Sequence, residues 1–319
     1  MHKYNVGIIG ATADIAAAHI DAIDFLDDFV LSAVCDLNLD ELTARFGNRP
    51  DILQTTDYWQ ILNAHDIDVV VLCTPNHLHI PVALDALKAN KHVLCEKPMA
   101  VGMNECDSIL RATQNSSATF VVSYHFQFFP EVQYMKEHLS SFAQISKFRF
   151  ESSEHLGVGK PWNFRKNIGG VWLDWAPNAL SVMRQIITPT ELSSYEIRNA
   201  KLSSCFDMEI ETRADIELVI NNIQGEFLID WEAGENVFVA RSTFWDEAGV
   251  KIELDHASNR MYINGEMVYE GIDARYRDVY KDFVNRIVSA SSNVSEAVFE
   301  TRLICDVFSE SSQGVSRSF

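Results

Sequence analysis

The sequence lacks the features that define several classes of protein. No segment reaches the roughly 18–20 unbroken apolar residues of a membrane span, and the six cysteines form no CxxC pair. This cysteine pattern indicates neither a disulfide framework nor a zinc site, and it fits a reducing compartment. Basic residues number 26 against 45 acidic ones, and the resulting charge of −19 argues against nucleic acid or an anionic membrane as a partner.

The N-terminus does not have the pattern of a signal peptide. From Lys3 the chain runs directly into the segment 5–10, which has the pattern of a strand followed by a turn. A signal peptide needs a basic start, a longer apolar run and a cleavage site with small residues. We therefore expect a cytoplasmic protein.

The first part of the chain alternates strand-like and helix-like segments. A length of 319 residues suggests two domains, which we place at residues 1–122 and 123–319. Short, continuously apolar segments are typical of parallel strands that are covered on both faces, so we predict an α/β domain with a doubly wound parallel sheet. The predicted strands are Val6–Ile9, Leu31–Cys35, Val69–Cys73, Val93–Cys95 and Phe120–Ser123, and the helices include Ile15–Phe25 and Leu78–Lys88.

The pattern changes after about residue 125, where apolar and polar residues alternate. This alternation favours an antiparallel sheet with one wet face, within an α+β domain. Asn264-Gly265 lies between two short apolar segments and predicts a tight hairpin. The predicted strands are 145–151, 214–220, 225–231, 237–244 and 250–254, and the predicted helices are 179–187, 276–288 and 296–308.

A glycine-containing turn joins the first strand to the first helix and predicts a dinucleotide site. Glycine lets the backbone approach a pyrophosphate, and a helix N-terminus favours negative charge. The pattern is degenerate, because Thr12 replaces the usual second glycine. Asp36 ends the second strand, where an acid accepts hydrogen bonds from ribose hydroxyls, and no arginine follows it. NAD is therefore favoured over NADP, with Gly10, Ala11, Thr12, Asp14, Ile15 and Asp36 as cofactor-binding residues. An ordinary strand–helix turn that binds no nucleotide stays open as an alternative.

Several motifs follow one another in a diagnostic order. They are Thr74-Pro75-Asn76-His77-Leu78-His79, Glu96-Lys97-Pro98, Trp162, Arg165, Gly169-Gly170 and Asp174-Trp175-Ala176-Pro177-Asn178. This set resembles the glucose–fructose oxidoreductase/inositol dehydrogenase/MocA (Gfo/Idh/MocA) family over nearly the whole chain. The resemblance implies an N-terminal Rossmann domain that binds NAD(P) and a C-terminal α+β domain with a large, open, mostly antiparallel sheet. It also implies a catalytic Lys97, a Lys97–Pro98 bond that is often cis, and a homodimer or homotetramer.

One departure from the family pattern narrows the resemblance. Most members have Asp-x-x-x-His where this chain has Asp174 and Asn178, and asparagine cannot accept a proton at neutral pH. The segments around Asn178 and Tyr276 resemble the L-arabinose/D-galactose 1-dehydrogenase branch, which oxidises aldopyranoses at C1. By its distance from Trp162, Glu151 aligns with a sugar-binding acid of that branch.

The resemblance assigns roles to individual residues. Lys97, Asp174 and Asn178 would be catalytic, with Lys97 stabilising oxyanion charge and Asp174 accepting the proton. Structural readings stay open for three residues: Asp174 as a helix N-cap, Trp162 in a core, and His125 as a packing residue. Further cofactor contacts would come from Thr74, Pro75, Asn76, His79, Glu96 and Lys97. Sugar contacts would come from Lys97, Tyr124, His125, Glu151, Trp162, Arg165, Asp174 and Asn178.

The predicted activity is the NAD-dependent transfer of hydride from C1 of an aldopyranose, which yields a lactone. His77 and His79 have the spacing of metal ligands, but no further acid or cysteine completes a set, so no metal is expected. Oxidation or reduction of another polyol or keto sugar is one alternative. A regulator that senses NAD without catalysis, or a scaffold that has lost the nucleotide, are two others.

Overall fold

The chain divides into two compact units. A computed structural model describes residues 3–155, 169–187, 193–204 and 210–311. The first unit comprises Met1–Ser123 with Tyr276–Val298, and the second comprises Tyr124–Arg275 with Phe299–Phe319. The segment Tyr276–Val298 thus belongs to the first unit although it lies far along the chain. The predicted domain limits at residues 122 and 123 stay a prediction.

The first unit contains a six-stranded parallel sheet. Its strands lie in the order β3-β2-β1-β4-β5-β6, which is the order of a doubly wound nucleotide-binding sheet. The elements of residues 3–123 are β1 (Tyr4–Ile9), α1 (Asp14–Phe25), β2 (Phe29–Cys35), α2 (Leu39–Phe46), β3 (Leu53–Thr55), α3 (Tyr58–Asn63), β4 (Val69–Leu72), α4 (His79–Lys88), β5 (His92–Glu96), α5 (Met103–Gln114) and β6 (Phe120–Ser123).

The predicted parallel sheet is confirmed, with one strand that the sequence pattern did not reveal. All residues of β4 and β6 are buried, as expected for strands covered on both faces. The additional strand β3 has three residues and pairs with β2 at the edge of the sheet, so its apolar signal is short. At the opposite edge, the amide of Asn293 bonds both backbone groups of Val122 and so occupies part of that edge.

The second unit contains an eight-stranded sheet. Its order is β14-β13-β12-β11-β7-β10-β9-β8, and every neighbouring pair is antiparallel except β7 and β10, which are parallel. The elements of the remaining described chain are α6 (Pro130–Glu137), β7 (Ile145–Glu154), α7 (Val171–Ile186), β8 (Tyr195–Ser203), β9 (Arg213–Ile220), β10 (Ile223–Asp230), β11 (Phe238–Asp246), β12 (Lys251–Asp255), β13 (Arg260–Ile263), β14 (Glu266–Glu270), α8 (Arg275–Ser289) and α9 (Val294–Glu310).

The predicted mostly antiparallel sheet is confirmed. Asn264 and Gly265 both have positive φ, at 50° and 86°, which is the conformation that a two-residue hairpin turn requires. Burial alternates along β9, β10 and β12, so one face of the sheet lies in the core. Helix α7 packs on that face, where Trp172 meets Phe227 and Trp175 meets Phe150. Strand β8 was not predicted, because its apolar and polar residues do not alternate regularly along the sequence.

Candidate functional site

The predicted cofactor residues of the first unit follow the carboxyl ends of four neighbouring strands. The segments 10–13, 36–38, 74–78 and 97–98 follow β1, β2, β4 and β5, with one intervening residue after β4. Strand order reverses between β1 and β4, and ligands of open α/β sheets bind outside the carboxyl ends of the strands at such a switch point. The structure therefore brings these residues to one edge of the sheet, as the sequence predicted.

Gly10 lies where the loop after β1 touches the loop after β4. Its φ is 86°, and a Cβ added to it would lie 2.5 Å from the carbonyl oxygen of Cys73 and 2.8 Å from the amide nitrogen of Thr74. The N–H groups of Gly10 and Ala11 donate to the carbonyl of Cys35, at 2.9 and 3.1 Å. Glycine is thus required both for its backbone angle and for the close approach of two segments of the backbone.

Thr12 and Asp36 form a direct link between the loop and the end of β2. The backbone N–H and the hydroxyl of Thr12 both donate to Oδ2 of Asp36, at 3.0 and 2.7 Å. Both side chains are half-buried, so the carboxylate is accessible. An accessible acid at this position and a glycine cradle beside a helix N-terminus are the features that fit an NAD molecule. Asp14 is exposed in the first turn of α1, where its negative charge interacts favourably with the helix dipole. Ile15 follows it in the same turn.

His79 joins the two other loops of this edge. It is buried, and its ring nitrogens lie 2.7 Å from the carbonyl of Pro98 and 2.9 Å from that of Thr74. Burial lowers the pKa of His79, and the two carbonyl contacts oppose that shift. The neutral ring has one N–H and donates it to one of the two carbonyls, and His79 packs between the two loops that carry the predicted cofactor contacts.

The rest of this loop pair contains both exposed and buried groups. Pro75 is exposed and Asn76 is buried, and the hydroxyl of Thr74 is buried without a hydrogen-bond partner among the described residues. The Lys97–Pro98 peptide bond is cis, as the family resemblance implied. Lys97 itself is half-buried after the end of β5.

A buried polar chain behind Lys97 was not predicted from the sequence. Oε1 of Glu96 lies 2.9 Å from Nε2 of His19, and Oε2 accepts the N–H of Lys97 at 3.2 Å. Nδ1 of His19 lies 3.1 Å from the hydroxyl of Tyr280, and Tyr276 approaches the same Oε1 at 3.5 Å. Burial holds the pKa of Tyr280 well above its usual range, so its hydroxyl can donate to His19 and leave Nε2–H for Glu96.

Through Glu96, these hydrogen bonds connect His19 to the backbone of Lys97, a role that the place of His19 in the sequence did not suggest. A histidine in the middle of an amphipathic helix is an ordinary feature of sequence. A signal was nevertheless present: His19 lies among small and apolar residues of α1, on the face that is buried. Burial of a polar side chain requires a partner, and Glu96 supplies it.

In the second unit, the predicted catalytic pair lies on helix α7. The helix begins at Val171, and the carbonyl and the carboxylate of Glu211 accept the N–H groups of Val171 and Trp172, at 3.1 and 3.3 Å. Asp174 is half-buried and Asn178 is buried, one helical turn apart on the same face. The pairing on one face is as predicted.

The helix begins earlier than predicted, at Val171 rather than at residue 179, and Pro177 lies inside it. Gly170 is the N-cap, with φ at 110°, so the alternative reading of Asp174 as the N-cap is excluded. The cause is a tertiary contact, because Glu211, from a distant part of the chain, accepts the first N–H groups of the helix in place of Asp174.

The amide oxygen of Asn178 is a buried acceptor that could bind a ligand. Its Oδ1 is buried and has no hydrogen-bond partner among the described residues. An unsatisfied buried acceptor costs about 1–3 kcal/mol, so such groups call for an explanation. A hydroxyl group of a bound molecule would satisfy it.

Other predicted sugar contacts separate into two groups. Tyr124 lies under the guanidinium of Arg184 of α7, at 5.0 Å, and His125 begins a short 3₁₀ turn whose Phe126 packs against Trp175. The structure thus brings Tyr124 and the turn that begins at His125 to α7, and their role as sugar contacts stays a prediction. Trp162 and Arg165 lie outside the described residues.

Glu151 is not brought to this helix. Along β7 the buried residues Phe148 and Phe150 face α7, and Glu151 has the opposite parity. Glu154 has the parity of Phe150, and its Oε1 accepts the indole N–H of Trp175 of α7 at 3.0 Å. Among the described residues, Glu154 is thus the acid of β7 that contacts α7, and the predicted role of Glu151 as a sugar contact stays a prediction.

Two negative findings concern the described ranges alone. Within them no group of three or more His, Cys, Asp or Glu side chains could hold a metal ion. In the same ranges, no helix combines the length and apolar character that crossing a bilayer requires.

Comparison with known proteins supports the interpretation of the first unit. Residues 4–124 match the profile of GFO_IDH_MocA, described as an oxidoreductase family with an NAD-binding Rossmann fold. The match confirms the resemblance inferred from the motifs and the prediction of an NAD-binding domain.

Similar proteins extend the comparison to the whole chain. Levoglucosan dehydrogenase from Pseudarthrobacter phenanthrenivorans is 30% identical over 185 residues, which cover 53% of this chain and 47% of that protein. The alignment thus spans about half the length of this relative. A solved levoglucosan dehydrogenase in complex with NADH and L-sorbose superposes with a TM-score of 0.83 at 20% identity, covering 99% of this chain and 98% of that one. D-galactose-1-dehydrogenase from Rhizobium etli gives 0.80 at 22% identity, covering 97% and 95%. These structures show that the fold is shared.

Proposed function

We propose, from the match of residues 4–124 to the Gfo/Idh/MocA oxidoreductase family, that this chain is an NAD-dependent dehydrogenase of sugars or polyols. The more specific proposal is oxidation of an aldopyranose at C1 to a lactone. The names of the relatives support the broader class, since they include levoglucosan and inositol dehydrogenases. The variant Asp174-x-x-x-Asn178 supports the narrower one.

The observation that carries the proposal in the first unit is the cradle at the switch point of the sheet. Gly10 permits the close approach, and Asp36 offers an accessible carboxylate at the end of β2. When bound there, the nicotinamide group would accept a hydride from the sugar. Leu37 and Asn38 follow Asp36 without a basic residue, which supports NAD over NADP.

Three side chains divide the remaining work. Lys97 hydrogen-bonds the reacting hydroxyl and stabilises the negative charge that develops on its oxygen. Asp174 accepts the proton of that hydroxyl directly, or draws it through Lys97. Asn178 orients a neighbouring hydroxyl through its otherwise unsatisfied Oδ1 and its amide group. Glu96 and His19 hold the backbone of Lys97.

The activity test measures NADH formation with a panel of aldoses and polyols, and identifies the product. We expect turnover with an aldopyranose and a lactone as the product. Turnover with polyols alone would replace the aldose proposal with oxidation of a polyol. Tight NADH binding without turnover of any carbohydrate would contradict the enzyme proposal and favour an NAD-sensing regulator.

Variants separate the proposed roles. Asp174→Asn should lower kcat by about 10²–10⁴-fold and leave the Kd for NADH unchanged, because a general base contributes on that scale. Asn178→Ala should instead raise KM, since it removes a binding contact. Asp107→Asn, at an exposed position of α5, is the matched control and should leave both parameters unchanged. Equal effects of Asp107→Asn and Asp174→Asn would refute the assignment.

The face of the eight-stranded sheet that lies away from α7 supports a homodimer or homotetramer as a further proposal. Glu226 pairs there with Lys147 and Arg149, at 2.6 and 2.7 Å, and both cations lie over Trp245. Leu228 is 37% exposed on the same face. Light scattering should give a multiple of the 36.1 kDa chain mass, and a Leu228→Asp variant should shift it toward one copy. A single-copy mass for the unchanged chain would refute the proposal.

A further inference from the structure

The replacement of the second loop glycine by Thr12 has a structural consequence. A glycine at this position would offer only its backbone N–H to the acid at the end of β2. Thr12 adds a hydroxyl, which donates to Oδ2 of Asp36 at 2.7 Å, in addition to its own N–H at 3.0 Å. One oxygen of the carboxylate therefore receives two hydrogen bonds from a single residue.

These two bonds hold the Asp36 carboxylate in one orientation. Its other oxygen, Oδ1, has a longer contact of 3.3 Å with the N–H of Asn38. Hydrogen bonds to an ionised acceptor are short and strong, so the clamped oxygen Oδ2 is the less free of the two. Oδ1 is then the oxygen that can accept from a ligand hydroxyl.

The loop that carries Thr12 is itself held by backbone hydrogen bonds. Gly10 and Ala11 donate to the carbonyl of Cys35, and the N–H of Asp36 donates to the carbonyl of Thr55 at 3.2 Å. The donor loop is thus tied to the end of β2, and the acceptor residue is tied to the end of β3. Because neither backbone segment can shift easily, the orientation of the carboxylate depends on the Thr12 hydroxyl.

A carboxylate that cannot turn away discriminates between ribose forms. A 2′-hydroxyl can donate to Oδ1, whereas a 2′-phosphate brings two negative charges toward a fixed negative charge and has no proton to donate. A carboxylate without the second bond can rotate and reduce this repulsion. From this geometry we infer that Thr12 is a cofactor-specificity residue, which acts through Asp36 to favour NAD(H) over NADP(H). The inference rests on the proposed function only in requiring that the first unit binds a dinucleotide.

The test compares Kd values for NADH and NADPH, measured by fluorescence titration of the full chain. Thr12→Val removes the hydroxyl and keeps the shape and the backbone N–H, whereas Thr12→Ser keeps the hydroxyl. We expect the unchanged chain to prefer NADH, and Thr12→Val to reduce the ratio of the NADPH Kd to the NADH Kd by about tenfold, the scale of one hydrogen bond to a charged group. Thr12→Ser should retain the original ratio.

Two controls isolate the effect of the hydrogen bond between the Thr12 hydroxyl and Asp36. Thr43→Val removes a hydroxyl that bonds the Leu39 carbonyl on exposed α2, and should not change the ratio. Asp36→Ala should remove the preference, and adding Thr12→Val to it should cause no further change, because the two residues act as one unit. An unchanged ratio in Thr12→Val, or the same change in the Asp36→Ala background, would overturn the inference.

The outcome is independent of the sugar proposal. Binding of NADH with the expected ratios, but without turnover of any carbohydrate, would refute the dehydrogenase proposal and leave the Thr12 inference supported. Turnover with equal Kd values for NADH and NADPH in the unchanged chain would do the reverse. A chain that binds neither nucleotide would overturn both.

Discussion

Gly10 provides the sharpest test of the proposed nucleotide cradle, because the chain contains a matched control. Gly10 and Gly265 have the same φ of 86°, but their surroundings differ. A Cβ at Gly10 would meet the backbone of Cys73 and Thr74 at 2.5–2.8 Å, whereas a Cβ at Gly265 would meet nothing within 4 Å. Alanine at the two positions therefore shares the backbone penalty and differs in the steric one.

The expected magnitudes follow from these two contributions. The left-handed conformation costs an alanine about 1–2 kcal/mol at either position. Overpacking adds about 1–3 kcal/mol at Gly10, since backbone rather than a flexible side chain must move. We thus expect Gly265→Ala to lower the free energy of unfolding by about 1–2 kcal/mol and Gly10→Ala by about 2–5 kcal/mol.

The assay combines stability with binding. Urea denaturation followed by circular dichroism gives the free energy of unfolding for the transition that each variant shifts. NADH titration then asks whether the folded variant still binds. Gly10→Ala should weaken NADH binding, because the loop must move away from Cys73, and Gly265→Ala should not. Equal destabilisation by the two variants, or normal NADH binding by Gly10→Ala, would refute the reasoning.

Three further predictions concern buried polar groups. His19→Ala removes the hydrogen bond between Nε2 of His19 and the buried carboxylate of Glu96 and should lower the free energy of unfolding by about 1–3 kcal/mol, as measured in urea, whereas no loss would contradict this contact. Ser242→Ala removes the partner of His256 Nε2, at 2.9 Å, and should cost about 1–3 kcal/mol in the same assay; no loss would show that Nε2 finds another donor. Burial lowers the pKa of His79, so the folded state resists its protonation and stability should fall as pH drops below about 6.5. His79→Gln should reduce that fall between pH 7.5 and 5.5, and an unchanged pH dependence of the urea midpoint would contradict it.

Sequence patterns predicted the sheets well where the signal is local. The apolar segments that became β1, β4 and β6 are buried on both faces, and Asn264-Gly265 forms the predicted hairpin turn. The apolar segment before it placed Lys97 after β5, and the family resemblance implied the cis bond between Lys97 and Pro98. Strand β3 escaped prediction because three edge residues carry too little periodicity.

The candidate sites were predicted less completely, and the reasons are physical. Glu151 and Glu154 are three residues apart on one strand, and side chains alternate between faces with a period of two. Distance along the chain therefore cannot tell which acid meets α7, but the packing of Trp175 can. Likewise, the sequence allowed Asp174 as an N-cap, but Glu211, distant in sequence, accepts the N–H groups at the start of the helix.

The sequence by itself determined the classes of element, the parallel and antiparallel character of the two sheets, and the residue types at the nucleotide edge. These depend on periodicity, backbone angles and turn chemistry, which neighbours along the chain dictate. Only the tertiary structure decided that His19 reaches Glu96 and that Thr12 clamps Asp36. Such partnerships join residues separated by 77 and 24 positions, and their distances are set by how strands and helices pack rather than by any local preference.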